Sequence, residues 1–253
     1  MDENPRLFEI FLDIQSGLPR QGPGSNENTL KAHSFCSGLP KKPAILDIGC
    51  GPGMQTIALA KAANADITAV DINQEYLEEL KERAESAGVI DCIEILELDM
   101  NNLPFQQERF DLIWAEGSAY IMGFDKALEN LKRFLKPEGY IAVSELVWLR
   151  PDPPNEIVEF FENEYPAIRE IEDVLKSIKK SGYEITEHFT LPDSAWWDHY
   201  YTPLEAKLPD LNKKYSEDKE ALRIINMTKR EIEMRRLFSE WYGYEFFIAQ
   251  KVS

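Results

Sequence analysis

The chain of 253 residues sets 28 Lys and Arg against 45 Asp and Glu, for a formal net charge of −17. A nucleic-acid binder needs a basic surface that displaces counterions from phosphates; here the cations are outnumbered and scattered, which disfavours DNA and RNA as partners. No run of about 18 apolar residues is present to span a bilayer, and the opening MDENPRLFEIFLDI lacks the basic stretch and small-residue cleavage site of a secretory leader.

A hydrophobic share of 43% and a charged share of 29% suit a soluble globular protein. The length suits one elaborated domain over 1–253. Cys36, Cys50 and Cys92 form no CxxC pair and leave an odd count, which fits a reducing cytoplasm better than a disulfide framework. His33, His188 and His199 are too widely spaced to suggest a zinc set, so no metal is expected.

A helix over 5–15 and the loop RQGPGS (20–25) open the chain. AILDIG (44–49), a short apolar run ending in glycine, predicts a buried strand, and 54–63 follows with helical spacing. DITAVDI (66–72) predicts a second strand and QEYLEELKERAESAG (74–88) an amphipathic helix closed by a glycine stop. CIEILELD (92–99) and RFDLIWAE (109–116) predict the third and fourth strands, with the loop MNNLPFQQE between them. FDKALENLKRFLK (124–136) puts Leu128, Leu131 and Leu135 on one helical face and stops at Pro137-Glu138-Gly139, before a fifth strand over 140–149. PDPPNE is a break; 155–181 predicts two helices, and 182–191 and 243–252 predict the last two strands.

Near-continuously apolar strands alternating with helices imply an α/β fold, a doubly wound, mostly parallel sheet of seven strands covered on both faces. Ligands in such sheets sit beyond the carboxyl ends of the strands. On this reading 1–40 is an N-terminal cap, 41–150 the cofactor-binding core, and the aromatic-rich segment 192–241 a helical lid inserted between the last two strands.

The segment Asp47-Ile48-Gly49-Cys50-Gly51-Pro52-Gly53 lies between a predicted strand and helix. Glycine there tolerates positive φ and lets a ligand approach the backbone. A dinucleotide fingerprint would need glycine at position 54, which is Met, and no phosphate-gripping GK[ST] follows. Asp71 closes the second strand, where a carboxylate can accept bonds from ribose hydroxyls. Leu98-Asp99-Met100 closes the third strand, an acid to take an adenine amine and an apolar side chain to cover the ring. Glu116-Gly117 ends the fourth strand and faces the same crevice.

These tips, in order, resemble the class I S-adenosylmethionine-dependent methyltransferases and their Rossmann-like fold. ILDIGCGPG resembles the first motif, VDIN the ribose-binding acid, LDMNNLPF the adenine motif, and FDLIWAEG and LKPEGYIAVSE the motifs around the fourth and fifth strands. Within the class, the run looks like the ubiquinone/menaquinone-biosynthesis-type branch that methylates small molecules. The resemblance implies S-adenosyl-L-methionine as cofactor and S-adenosyl-L-homocysteine as product. It implies that Gly49, Gly51 and Gly53 shape the loop around the methionine portion, with Asp47 fixing the turn. Asp71 would hold the ribose, Asp99 and Met100 the adenine, and Glu116 would lie near the methionine moiety; Cys50, Gln55 and Ile72 complete the expected cofactor set, Cys50 as a small packing residue.

Methyl transfer from a sulfonium needs alignment and water exclusion more than acid–base chemistry, and a general base only when the nucleophile arrives protonated. Trp114-Ala115-Glu116-Gly117 replaces the Asn/Asp-Pro-Pro-Tyr/Phe motif of adenine- and glutamine-modifying members, which disfavours those substrates. Candidates for the acceptor side are Arg20, Gln21, Tyr120, Glu145, Trp148 and the 192–241 segment, with Tyr120, Glu145 and His199 as candidate catalytic groups. The aromatics of Trp196–Tyr201 either line a cage for a cationic or flat substrate or anchor the insertion to the core. The acceptor atom stays open among O, N, C and S. Expected partners are a small-molecule substrate, without nucleic acid or membrane insertion, in a monomer or homodimer. The alternatives are a catalytically silent cofactor-binding regulator and a nicotinamide-dependent oxidoreductase.

Overall fold

The computed structural model describes residues 5–252; the expectations for 1–4 and 253 lie outside them. Two helices, α1 (Pro5–Gln15) and α2 (Asn26–Ser34), precede the alternating core β1 (Ala44–Ile48), α3 (Met54–Ala63), β2 (Asp66–Asp71), α4 (Gln74–Ser86), β3 (Ile93–Glu97), β4 (Phe110–Glu116), α5 (Phe124–Leu131) and β5 (Leu135–Trp148). Then come α6 (Asn155–Glu164), the two-residue β6 (Arg169–Glu170), α7 (Ile171–Lys180), β7 (Tyr183–Thr190), α8 (Ser194–Trp196), a π-turn (Trp197–Tyr201), α9 (Thr202–Lys214), α10 (Lys219–Phe238) and β8 (Tyr242–Lys251).

Seven strands run in the order β3-β2-β1-β4-β5-β8-β7, with β6 on the side of β5. β8 is antiparallel to both neighbours and the rest of the path is parallel. The order reverses between β1 and β4, and the carboxyl ends on either side of that point define the ligand crevice. β1 and β4 are apolar because both faces are covered: Leu46, Ile48 and Ile113 bury to one side, Ile45, Leu112 and Trp114 to the other.

Two boundaries differ from the sequence expectation. The helix over 124–136 ends at Leu131 and tightens into a single 3₁₀ turn, and β5 begins at Leu135 instead of Tyr140. Leu135 pairs with Phe110, but the register shifts before Leu112 pairs with Tyr140, so Pro137 lies in a bulge where its missing N–H costs no ladder bond. Glu138 takes φ +59° to make that bulge, a conformation that no hydrophobic period records.

The 192–241 segment is helical as expected. Its aromatics form a third apolar cluster in which Trp196, Tyr200 and Tyr201 pack with Tyr242 of β8, Phe161 of α6 and Ile14 of α1. Arg235 of α10 ties this insertion to the sheet. It donates to the Tyr242 carbonyl at 2.7 Å and to Asp193 Oδ1 at 2.8 Å, and its guanidinium lies 4.0 Å from the centre of the Trp196 ring. Its side chain is 4% exposed, and removing one partner of so buried a polar network costs several kcal/mol. Arg235→Ala is expected to lower stability by about 3 kcal/mol, read as an earlier midpoint in urea unfolding; a shift under about 0.5 kcal/mol, the ordinary surface range, would show that the insertion docks without it.

Candidate functional site

The turn from β1 into α3 is compressed against its surroundings. Gly49, Gly51 and Gly53 all have positive φ, at +65°, +51° and +84°. A Cβ on Gly53 would fall on Leu80 of α4, so the loop can sit this low only without a side chain there. Gln55 Nε2 donates to the Cys50 carbonyl at 2.9 Å and closes the loop from the helix side. Cys50 is buried.

Asp47 points inward from β1. Its Oδ2 accepts the Thr56 hydroxyl at 2.6 Å, and Oδ1 has no partner among protein atoms. Burial pushes its carboxyl up to about 7, opposed by the Thr56 hydrogen bond and reinforced by Glu116.

At the tip of β2 the two Asp71 oxygens divide their work. Oδ2 accepts the Gly51 N–H at 2.9 Å and Oδ1 the Asn73 N–H at 3.0 Å. Each oxygen retains a lone pair, so the carboxylate both pins the glycine loop and faces outward. Ile72 beside it is 65% exposed, an apolar surface at a strand tip. Asp99 Oδ1 accepts the backbone and side-chain nitrogens of Asn101, which hold its carboxyl below the ordinary Asp value. Met100 reaches back to the loop, its Cε 3.4 Å from where a Gly49 Cβ would stand. The fit to an adenosyl group is therefore good: acceptors at two strand tips, apolar covers between them, and an open glycine backbone.

Glu116, at the end of β4, is held by donors from three directions. Its carboxylate accepts Arg20 Nη1 at 2.7 Å, the Thr29 hydroxyl at 2.9 Å and Trp114 Nε1 at 3.1 Å. The ion pair is almost fully buried, with side chains 5% and 3% exposed. Desolvating two charges is repaid only when the remaining donors are also used, and Arg20 further donates to Asn26 and Thr29. Gly24 makes the approach possible, since a Cβ there would stand 2.6 Å from Glu116 Oε1. Gln21 comes down with this segment, accepting the Tyr76 hydroxyl at 2.7 Å. Sequence reading had Arg20 and RQGPGS but not their partner, because the pairing spans 96 positions.

Of the candidate catalytic groups, Tyr120 and Glu145 come together through a residue not foreseen. Tyr165 donates to Glu145 Oε1, and its ring meets that of Tyr120 edge-on at 5.9 Å. Glu145 is buried within β5, and burial pushes its carboxyl up to about 7 against the Tyr165 hydrogen bond. His199 does not join them; it faces Glu27 on α2. Trp148 packs on Phe161.

The Asp47 carboxyl gives a pH test. A carboxyl raised in the folded state stabilises the fold while protonated, so its contribution is complete below about pH 4 and is lost as the pH rises through 7. Asp47→Asn is expected to flatten the decline in urea midpoint between about pH 4 and 7; an unchanged slope would mean that Asp47 makes no contribution to it.

Residues 45–139 match the protein family described as "Methyltransferase domain". An uncharacterized methyltransferase of Bacillus subtilis, YodH, is 26% identical over 84% of this chain and 85% of its own. Methyltransferase GfsG of Streptomyces halstedii is 27% identical over 56% of this chain and 53% of its own, and the chain spans about half the length of most curated relatives it matches. In three dimensions it is similar to a SAM-dependent methyltransferase from Geobacter sulfurreducens solved with S-adenosyl-L-homocysteine, with a TM-score of 0.81 and 21% identity over 98% of this chain and 99% of that one. The chain thus carries a segment, 45–139, that matches a methyltransferase domain, and over its described length it shares the fold of a SAM-dependent methyltransferase.

Proposed function

We propose that the protein transfers a methyl group from S-adenosylmethionine to a small-molecule acceptor by in-line displacement. The observation that carries this reading is the Asp71 carboxylate, bonded to the Gly51 N–H and turned outward from the tip of β2 beside an exposed Ile72. A carboxylate so placed can take two ribose hydroxyls, and charge-assisted bonds of that kind contribute about 1.5–3 kcal/mol each.

The cofactor supplies an activated methyl on a sulfonium. The protein's own part is positional. Gly49, Gly51 and Gly53 would cradle the methionine portion, Asp71 the ribose, and Asp99, Ile72 and Met100 the adenine. Glu116, its oxygens engaged by Arg20, Thr29 and Trp114, would serve the site by fastening the N-terminal segment over it. That segment and the 192–241 insertion would together exclude water, as methyl transfer requires. Tyr120 and Glu145 would face the acceptor, and Glu145, with its carboxyl near 7, is suited to take a proton from a nucleophile that arrives with one. No helix among the described residues is long and apolar enough to cross a membrane, and the acidic balance of −17 together with the unpaired cysteines supports cytoplasmic work on small molecules over nucleic acid.

Calorimetric titration is expected to give micromolar binding of S-adenosylmethionine and S-adenosylhomocysteine and none of NADH. NADH binding in their place would favour the oxidoreductase alternative, and binding without turnover on any acceptor would favour a silent regulator. Asp71→Ala is expected to weaken S-adenosylhomocysteine binding by roughly 100-fold, the loss of two charge-assisted bonds, in a protein that still unfolds cooperatively; unchanged affinity would remove Asp71 from the site.

A further inference from the structure

Beyond the tips of β4 and β5, several elements contribute tyrosines and carboxylates to one wall that the cofactor residues leave unused. Tyr165, after α6, donates to Glu145 of β5. Tyr201 of the π-turn donates to Glu231 of α10 at 2.7 Å, and its ring stacks on Tyr200 with centroids 4.9 Å apart. Tyr244 of β8 packs in the same cluster with Tyr165 and Tyr200. Tyr120, from the turn after β4, meets Tyr165 edge-on at 5.9 Å and 80°.

Tyr120 is the exposed member of this group. Its hydroxyl is desolvated enough to be raised, with Glu231 and Glu145 adding to the effect, yet 45% of the residue is open to solvent. Glu231 and Tyr244 share that character, each only partly shielded from solvent and each raised by burial. On the same wall Gln15, 4% exposed, donates Nε2 to Tyr200 Oη at 3.3 Å and leaves Oε1 with no protein partner.

The charges acting on Tyr120 are one-sided, both of them carboxylates. The guanidinium that acts on Glu145 is Arg169, already held by both oxygens of Asp125 at 2.9 and 3.1 Å and by Ser177. The groups acting on Glu231 are a hydroxyl, Tyr201, and another carboxylate, Glu164. Two desolvated carboxylates facing tyrosine rings form an environment that a cation improves twice over. It offsets the carboxylates, and the rings present negative faces whose attraction for a cation grows as water is excluded. A neutral ligand gains neither, and an anion would be repelled.

From this geometry we infer that the wall of tyrosines and carboxylates around Tyr120 is the acceptor site and that it takes a small molecule bearing a cationic amine, protonated or quaternary. The rings of Tyr120, Tyr165, Tyr200 and Tyr244 surround that amine, and Glu145, Glu231 and Gln15 Oε1 face it. The inference rests on the methyltransferase reading only for the word acceptor; the cation site stands on its own residues.

The test uses choline and its neutral carbon isostere, 3,3-dimethylbutan-1-ol, titrated calorimetrically into the full chain with and without S-adenosylhomocysteine. Choline is expected to bind at least roughly tenfold more tightly than the isostere, a gap within the range of a desolvated cation–aromatic site. Tyr120→Ala and Glu145→Gln are each expected to weaken choline by about fivefold or more while S-adenosylhomocysteine affinity stays as in the parent, which also reports that the variants fold. Equal binding of the two probes, or no choline binding by a protein that binds S-adenosylhomocysteine, overturns the cation site and leaves the methyltransferase reading intact. Choline selectivity in a protein that does not bind S-adenosylhomocysteine keeps the cation site and overturns the reading that makes it an acceptor site.

Discussion

Among the carboxylates inside the sheet, three stand at or near the carboxyl ends of parallel strands: Asp47 on β1, Glu116 on β4 and Glu145 on β5. A carboxylate in an apolar sheet costs several kcal/mol unless something hydrogen-bonds to it or it takes a proton, and each of the three is answered from a different direction. Thr56 comes from the helix that follows β1. Arg20 comes from the N-terminal segment. Tyr165 comes from the connection after α6. The N-terminal segment and the connection after α6 are therefore held to the sheet by its own buried carboxylates.

The partners differ in what they do to charge. Arg20 keeps Glu116 paired with a permanent cation, and three donors saturate the carboxylate. Thr56 and Tyr165 bring neutral hydroxyls, and burial then wins: both Asp47 and Glu145 are pushed up to about 7. Of these two, Glu145 also acts on Tyr120, whose ring is partly open to solvent, so a proton or a cation there bears on a surface that a ligand can reach. At Asp47, fully enclosed by β1 and α3, the same proton bears on the stability of the glycine turn.

The insertion between β7 and β8 contributes in two ways. Trp196 and Tyr201 are packing groups that seat it against Tyr242 and Arg235, so these members of the aromatic run anchor it to the core. Tyr200, one residue away, turns its hydroxyl toward Gln15. A π-turn at 197–201 sets the neighbouring rings of Tyr200 and Tyr201 in stacked contact. Such turns recur at functional sites because they re-aim side chains within an otherwise regular helix.

How far each feature was legible follows from its range along the chain. The strands, the helices and the glycine loop are written in local periods and spacings, and so are the acids at 47, 71, 99 and 116, because strand tips in a parallel sheet fall where an apolar run ends. The bulge in β5 escaped, since the positive φ of Glu138 leaves no mark on hydrophobic pattern. The partner of Glu116, the meeting of Tyr120 with Tyr165 and Glu145, and the separation of His199 from both were decided only by tertiary structure. Those contacts join residues dozens of positions apart, and which of several scattered tyrosines and arginines reaches a buried carboxylate depends on how the caps pack, a matter of desolvation and close fit that no local spacing encodes.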